Sequence, residues 1–360
     1  MDSCETPADA RPGRLAGAVR PGLAFSAGMA AVALIALLVI ALLALALSET
    51  PGRTLYFFFA GPFRNVFSFG NMINGAIPLI LAGLGVSVAM QTGHLNLGGE
   101  GQIYSGAFVA TAAAIALEPL GHFGGLSALL AGAFFAGAVA AFSGFCKARW
   151  DASELITSFL LSHALILIVN FFVNGPFLDP ETNLQATRRI PAHFHLPLIL
   201  PPSNLSAALP AALLAVGAAH VFLRRARLGY EFRMAGANEM FACYGGINTK
   251  LNAVLAMFLS GAMHGFAGGL MVFGTFHRTI REFSAGLGWD GLATALVAGF
   301  YPPALIPSGL FFAWISSGAR IAMQNSDVTF EIAAVAQAAV LFLATSMVLR
   351  SAFAKKRRRQ

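Results

Sequence analysis

The sequence predicts an all-α polytopic membrane protein, and three observations support this fold class. Of its 360 residues, 57% are hydrophobic and 11% are charged, whereas a soluble domain carries about 25% charged residues. Several uncharged runs approach or exceed the roughly 18 apolar residues that suggest a transmembrane helix. The 38 glycines suit helices that pack closely in lipid, where small residues let backbones approach each other.

Ten hydrophobic segments predict about ten transmembrane helices with both termini in the cytoplasm. The first follows a basic start and is longer than the 7–15 apolar residues typical of a cleaved signal peptide, so it is expected to remain as an anchor. The eighth is short, and it either crosses the membrane or forms a re-entrant helix. The predicted spans are 27–48, 71–91, 99–117, 124–145, 155–174, 206–223, 251–274, 286–300, 304–323 and 331–350.

The distribution of basic residues predicts the orientation of the chain in the membrane. They concentrate in alternate connecting segments, as around Lys147 and Arg149, in 224–250 and in the KKRRR run at 355–359. Placing these segments inside satisfies the positive-inside bias. The net charge of +7 is therefore divided among loops and does not form one basic face, which argues against a nucleic-acid partner.

Five segments describe the predicted domain organisation. A cytoplasmic tail occupies 1–26, a transmembrane domain 27–350 and a basic cytoplasmic tail 351–360. Within the transmembrane domain, 175–205 is an outer loop and 224–250 is a cytoplasmic segment. His193 and His195 lie two residues apart in the outer loop, but without a third well-placed ligand they do not predict a metal site.

A glycine-rich break, GHLNLGGEGQ at 93–102, interrupts the apolar pattern at membrane depth. Glu100 lies among glycines there, with Asn96 and Gln102 nearby. A charge at the bilayer centre costs on the order of 3 kcal/mol, and irregular backbone is tolerated only where it is buried in protein or lines a wet cavity. These three residues are predicted to lie on a substrate pathway, with Asn96 and Gln102 better placed for solute contact. Glu100 either contacts solute or, as we favour, caps a helix N-terminus.

A second break of the same design begins at 285, with the sequence AGLGWDGLATALVAG. Asp290 follows Gly288 and Trp289 and precedes Gly291. The two breaks fall in halves of opposite predicted orientation, as expected for an inverted repeat around a transport pathway. Asp290 is therefore the fourth predicted pathway residue, with a structural role as its alternative. His94, His163 and His264 are expected to bond neighbouring helices.

The cytoplasmic segment 224–250 is too long and too patterned for a simple turn. Its glycines and Asn238 bracket a short amphipathic helix predicted around 239–244. Such a helix either offers a rigid contact surface to a cytoplasmic partner or lies on the membrane surface without one.

Several motifs together resemble the permease subunits of bacterial ABC importers for nucleosides and simple sugars, within the wider group that includes branched-chain amino-acid permeases. The similarity covers roughly 70–350 and includes the 93–102 break. Further matching motifs are LGYEFRMAGAN with its continuation to Asn248, LSGAMHGFAGG from Leu259, GWDGLATAL from Gly288 and, more weakly, the element at 147–156. Glu239, Phe241, Cys243 and His94 depart from the family pattern.

The resemblance implies a multi-pass protein of the bacterial cytoplasmic membrane that imports a nucleoside or simple sugar. It implies three protein partners: an ABC ATPase subunit, a second identical or similar permease subunit, and an extracytoplasmic solute-binding protein; membrane lipids surround the chain. The ATPase would dock on a coupling helix within 233–247. The residues implied in coupling are Arg233, Gly236, Asn238, Tyr244 and Gly246.

The chain contains no G-x-x-x-x-G-K-[ST] phosphate loop, so ATP hydrolysis is expected on the partner. No catalytic residue and no cofactor is predicted in this chain; ATP and Mg would bind the ATPase. Two alternatives remain open: ABC import of another ring-bearing solute such as a flavin, and an ion-coupled secondary transporter.

Overall fold

The computed structural model describes residues 48–284 and 286–327, together with 34, 37–42, 44–46, 335 and 338. Regular structure in these residues is helical, with three isolated β-bridges outside the helices. Six of the helices are long and apolar enough to cross a membrane. The predicted all-α polytopic class is thereby confirmed, while the predicted segments 1–26 and 351–360 lie wholly, 331–350 largely and 27–48 in part outside the described residues.

The helices follow the predicted order with small shifts at their ends. Their bounds are α1 Pro51–Phe59, α2 Val66–Met90, α3 Gly99–Ala116, α4 His122–Trp150, α5 Glu154–Asn174, α6 Ala208–Arg225, α7 Arg227–Ala237, α8 Glu239–Tyr244, α9 Thr249–Met271, α10 Leu287–Val297 and α11 Leu305–Asn325. A π-helical turn, Val272–Phe276, extends α9. The six candidate spans contain α2, α4, α5, α6, α9 and α11.

Two predicted spans, 99–117 and 286–300, are not among these six candidates. Helix α3 forms where expected but begins with glycine, Glu100 and Gln102, which lowers its hydropathy. Helix α10 has 11 residues and rises about 16 Å at 1.5 Å per residue. It is therefore too short to cross a hydrocarbon core of about 30 Å by itself. Helices α1 and α7 were not predicted.

Helix α2 lies at the centre of the fold, with most of its side chains buried. Glycines bring α3, α4 and α9 into backbone contact on one side. A Cβ at Gly106 would overlap the backbone of Gly265, and a Cβ at Gly268 would overlap that of Ile103. In lipid, where burial of apolar surface drives helices together only weakly, this close packing holds the bundle.

The segment 175–205, predicted to be the outer loop, is hydrogen-bonded to the segment that follows α9. The Ile190 N–H donates to the His277 carbonyl at 2.8 Å, and the Thr187 N–H donates to the Thr279 carbonyl at 3.0 Å. The His195 ring stacks on that of His277 with centroids 3.7 Å apart. The described residues contain no group of three His, Cys, Asp or Glu side chains suited to a metal ion.

Candidate functional site

The two glycine-rich breaks, which are far apart in the sequence, meet in the structure. Glu100 at the start of α3 accepts hydrogen bonds from the Gly288 N–H (2.8 Å) and the Gly286 N–H (3.2 Å), one at each carboxylate oxygen. Gly288 has no room for a Cβ because the Glu100 backbone lies against it, and Gly286 has a positive φ of 88°. Glu100 thus holds the start of α10 against the start of α3, where a carboxylate complements the free N–H groups.

Two serines of α5 fix the first break from the other side. The Leu97 N–H donates to Ser158 Oγ at 3.1 Å, and the Gly101 N–H donates to Ser162 Oγ at 2.7 Å. Both serines are buried, and their spacing of four places them on one face of α5. Sequence reasoning missed them, although two hydroxyl residues four apart in an apolar helix were the available signal.

Asn96 and Gln102 form a buried network with α9. Asn96 Nδ2 donates to Gln102 Oε1 (2.8 Å) and to Ser260 Oγ (3.0 Å), and Gln102 Nε2 donates back to Asn96 Oδ1 (3.1 Å). Each side chain is 1% exposed. In this structure, therefore, the polar groups of both residues bind protein partners, and their predicted contact with solute stays a prediction.

His264 completes this network. Its Nδ1 lies 2.9 Å from Gln102 Oε1 and its Nε2 lies 3.1 Å from the Ala82 carbonyl. The Gly98 N–H donates to Asn96 Oδ1 at 2.9 Å, which fixes the amide orientation of Asn96 and, through it, that of Gln102. A neutral imidazole has one N–H, so His264 in that form donates to one of these two oxygens and only contacts the other.

Asp290 is in a different environment from Glu100. Its side chain is half-buried, it lies close enough to Glu100 for electrostatic repulsion, and no described residue donates a hydrogen bond to its carboxylate. The neighbouring Trp289 is 44% exposed. Asp290 is therefore the predicted pathway residue whose side-chain carboxylate remains available.

The predicted histidine contacts are confirmed for two residues of three. His264 bonds α2 and α3 as described above. His94 Nδ1 lies 3.3 Å from the Glu154 carboxylate at the start of α5. His163 differs: its Nδ1 lies 3.2 Å from the Phe159 carbonyl of its own helix, so the expectation of a bond to a neighbouring helix was wrong there.

The predicted coupling residues lie on α7, at Asn238 between α7 and α8, on α8 or in the turn that follows α8. The predicted helix at 239–244 is confirmed as α8, which Asn238 caps by accepting a hydrogen bond from the Phe241 N–H at 3.0 Å. Arg233 Nε donates to the Gly229 carbonyl of its own helix at 3.3 Å. Tyr244 is 78% exposed at the end of α8.

The two predicted coupling glycines have different surroundings. Gly236 is buried, and its Cα lies 3.7 Å from the position that a Cβ at Gly93 would take. The segment therefore contacts the first residue of the glycine-rich break. Gly246 has a φ of +79° with open space around it, so it forms a turn that favours glycine.

Comparison with known proteins identifies relatives across most of the chain. A family model described as the permease component of the branched-chain amino acid transport system matches residues 68–349. The probable riboflavin import permease RfuC of Treponema pallidum is 35% identical over 82% of this chain and 79% of its own length.

Two further relatives cover similar or larger shares. The glucose ABC transporter permease TsgB13 of Haloferax volcanii is 29% identical over 87% of this chain and 85% of its own length. The guanosine ABC transporter permease NupP of Bacillus subtilis is 27% identical over 96% of this chain and 98% of its own length. No solved structure matches the chain.

Proposed function

The chain belongs to the permease-component family of the branched-chain amino acid transport systems, and we propose that its solute is a small ring-bearing molecule, a nucleoside or a simple sugar. It is a multi-pass inner-membrane permease subunit of an ABC importer. Relatives of this chain are named as permeases for riboflavin, glucose and guanosine. A flavin is therefore the alternative solute.

The observation that carries the proposal is the meeting of the two breaks at Glu100. Two half-buried carboxylates at this depth require water or protein around them, because lipid contact is costly for a charge. Glu100 is bonded to the backbone of Gly286 and Gly288, whereas Asp290 is available. We assign Asp290 to the wall of the solute pathway. In this proposal Asn96, Gln102 and Glu100 stabilise the structure of that wall.

The complete membrane architecture is part of the same proposal. It has ten crossings or re-entrant segments, both termini in the cytoplasm and an inverted repeat that relates the halves containing the two breaks. The permease domain extends over 27–350, with 175–205 outside and 224–250 inside. The short α10 and the extended residues before α3 are the broken elements expected near the middle of such a repeat.

Partners supply the energy and the solute. A component of an ABC transport system works with an ATPase and a solute-binding protein. In our proposal a second permease subunit completes the pathway, ATP and Mg bind only to the ATPase, and the ATPase docks on α7 and α8. Closure of the ATPase dimer on ATP would move this segment, and the contact between Gly236 and Gly93 leads from it to the first break.

Purification of the tagged chain from its native membrane in mild detergent tests the proposal. We expect a P-loop ATPase and a solute-binding protein to co-purify, with a ring-bearing ligand on the latter that mass spectrometry identifies. In proteoliposomes the complex should take up that ligand only with ATP. Uptake by the chain alone, driven by an ion gradient, would instead establish the secondary-transporter alternative.

A further inference from the structure

A cluster of aromatic side chains lies where the two breaks meet. The rings of Phe159 and His163, one turn apart on α5, have centroids 4.3 Å apart, and the Trp289 ring of α10 lies 6.3 Å from that of Phe159. Phe159 is half-buried, His163 is exposed and Trp289 is 44% exposed. We name these three residues the aromatic platform.

The same contacts that fix the breaks also fix the platform. Ser158 and Ser162 turn one face of α5 toward the first break. Phe159 and His163 each follow one of these serines and therefore lie about 100° further around the helix. Trp289 directly follows Gly288, whose N–H donates to Glu100. The rings are thus attached to bonded backbone on both sides, which limits their freedom before any ligand arrives.

Few polar groups around the platform remain available to a ligand. Both Glu100 carboxylate oxygens accept backbone N–H groups, and both serine hydroxyls accept backbone N–H groups of the first break. Asn96 and Gln102 are buried and bonded to each other. The exception among these described side chains is Asp290, whose carboxylate is half-buried beside Trp289 and receives no hydrogen bond from a described residue.

Aromatic rings beside one free carboxylate favour a planar heterocycle over a sugar as the ligand. A sugar ring carries several hydroxyl groups that each need a partner when they leave water, and the groups around the platform offer one free carboxylate, that of Asp290, besides the ring nitrogens of His163 and Trp289. A planar heterocycle stacks on exposed aromatic rings and satisfies a carboxylate through its N–H groups in charge-assisted hydrogen bonds. The position of the platform beside a charged side chain also argues against a lipid-facing surface.

We propose that the aromatic platform and Asp290 form a subsite for a planar nitrogen heterocycle that carries N–H donors, as in a nucleobase or a flavin. The ring stacks among Phe159, His163 and Trp289, and an N–H edge donates to the Asp290 carboxylate. This subsite rests on the proposed function, because the solute reaches it only if the meeting point of the breaks lies on the pathway.

Photoaffinity labelling of the complete reconstituted complex with 8-azidoguanosine tests the subsite. We expect crosslinks on α5 or α10 at the platform, which guanosine and riboflavin suppress and glucose does not. Trp289→Ala should reduce the labelling about ten-fold, within the range that stacking on one aromatic side chain contributes. Trp289→Phe should restore it because a stacking ring remains. Phe123→Ala, which removes an 81% exposed ring on α4, is the matched control and should label as the unsubstituted chain does.

Three results would overturn the subsite: crosslinks only away from the platform, unchanged labelling of Trp289→Ala, or suppression by glucose equal to that by guanosine. ATP-driven uptake measured on the same preparations separates the two proposals. Uptake of a ring-bearing solute with the platform unlabelled rejects the subsite and leaves the proposed function in place. A complex without ATP-driven uptake of any ring-bearing solute rejects the proposed function, and the subsite with it.

Discussion

Glu100 contributes to this molecule mainly through hydrogen bonds to backbone. Its two oxygens receive the N–H groups of Gly286 and Gly288, and charge-assisted bonds of this kind contribute about 1.5–3 kcal/mol each when buried. We expect Glu100→Ala to lower the free energy of unfolding by about 2 kcal/mol, because the site is only partly buried and water can replace some of the loss. Reversible denaturant unfolding in detergent measures this change.

Hydrogen exchange of individual amides shows where in the chain Glu100→Ala loses stability. The amides of Gly286 and Gly288 should exchange faster in Glu100→Ala, while those in the middle of α2 should not. Glu118→Ala is the control because Glu118 is an exposed carboxylate, also in the first turn of a helical segment. Equal stability of both variants would contradict the capping role of Glu100.

His277 makes the contact between segment 175–205 and the end of α9 sensitive to pH. Burial, the stacked His195 ring and the nearby Arg189 cation lower the pKa of His277 below its ordinary value of 6.5. An opened outer loop returns His277 to the ordinary pKa, so protons bind more strongly to the open form. The stability of the closed loop is therefore fully present above about pH 6.5 and falls as the pH decreases below that value.

The amide of Ile190 reports this opening because it donates to the His277 carbonyl. Its hydrogen-exchange protection, corrected for intrinsic rates, should fall between about pH 6.5 and pH 5. In His277→Asn this fall should disappear, since asparagine tolerates the positive φ of 57° at this position. His122→Asn, at an exposed histidine of α4, should keep the fall; its loss in both variants would assign the effect to another group.

Among the elements, α4 and α9 depend on glycine for their distance of approach. A Cβ at Gly265 would lie 2.6 Å from Ala136 Cβ and 2.6 Å from the Gly132 carbonyl oxygen. Gly265→Ala therefore forces the helices apart, and overpacking of this kind costs about 1–3 kcal/mol. Thermal unfolding in detergent should show the loss as a lower midpoint.

Gly217→Ala in α6 is the matched control, because nothing lies within 4 Å of the new Cβ. Its midpoint should be unchanged or higher, since alanine favours helix by about 1 kcal/mol over glycine. A similar loss in both variants would point to a general cost of removing glycine rather than to the contact between α4 and α9.

The elements also show how far sequence reasoning reaches. The α5 and α8 boundaries were predicted within one residue because apolar runs and polar residues mark them locally. Helix α1 was missed because nine residues carry too little periodicity. The bond from Gly288 to Glu100 joins residues 188 apart, so the similar breaks indicated a shared design but not their contact. Ser158 and Ser162 were missed for the same reason, since their partners lie on another element.

The described chain exposes two kinds of surface. Large apolar side chains are exposed along α4 and α5, as expected where helices meet lipid or a second permease subunit. At α8 the exposed side chains are Glu239, Met240, Phe241 and Tyr244, which lie in a segment that also carries the arginines of 224–233. Aromatic residues beside arginines are typical of protein interfaces, which favours docking of a protein on α8 over a bare membrane-surface helix.

The proposed docking of the ATPase subunit on α8 predicts how a change on this helix affects the assembled complex. Tyr244 is 78% exposed in this chain, and a tyrosine that acts as an interface hot spot contributes about 2 kcal/mol or more to binding. Tyr244→Ala should therefore weaken binding of the ATPase subunit by at least about ten-fold, as measured by titration of the purified ATPase onto the permease in nanodiscs. Tyr56→Ala, at a 55% exposed tyrosine of α1, should bind as the unsubstituted chain does.

Because Tyr244 packs against little within its own chain, its truncation should leave the unfolding midpoint unchanged, so weaker binding would report the interface itself. Unchanged affinity in both variants would place the ATPase on another surface and remove the route from α8 through Gly236 to the breaks.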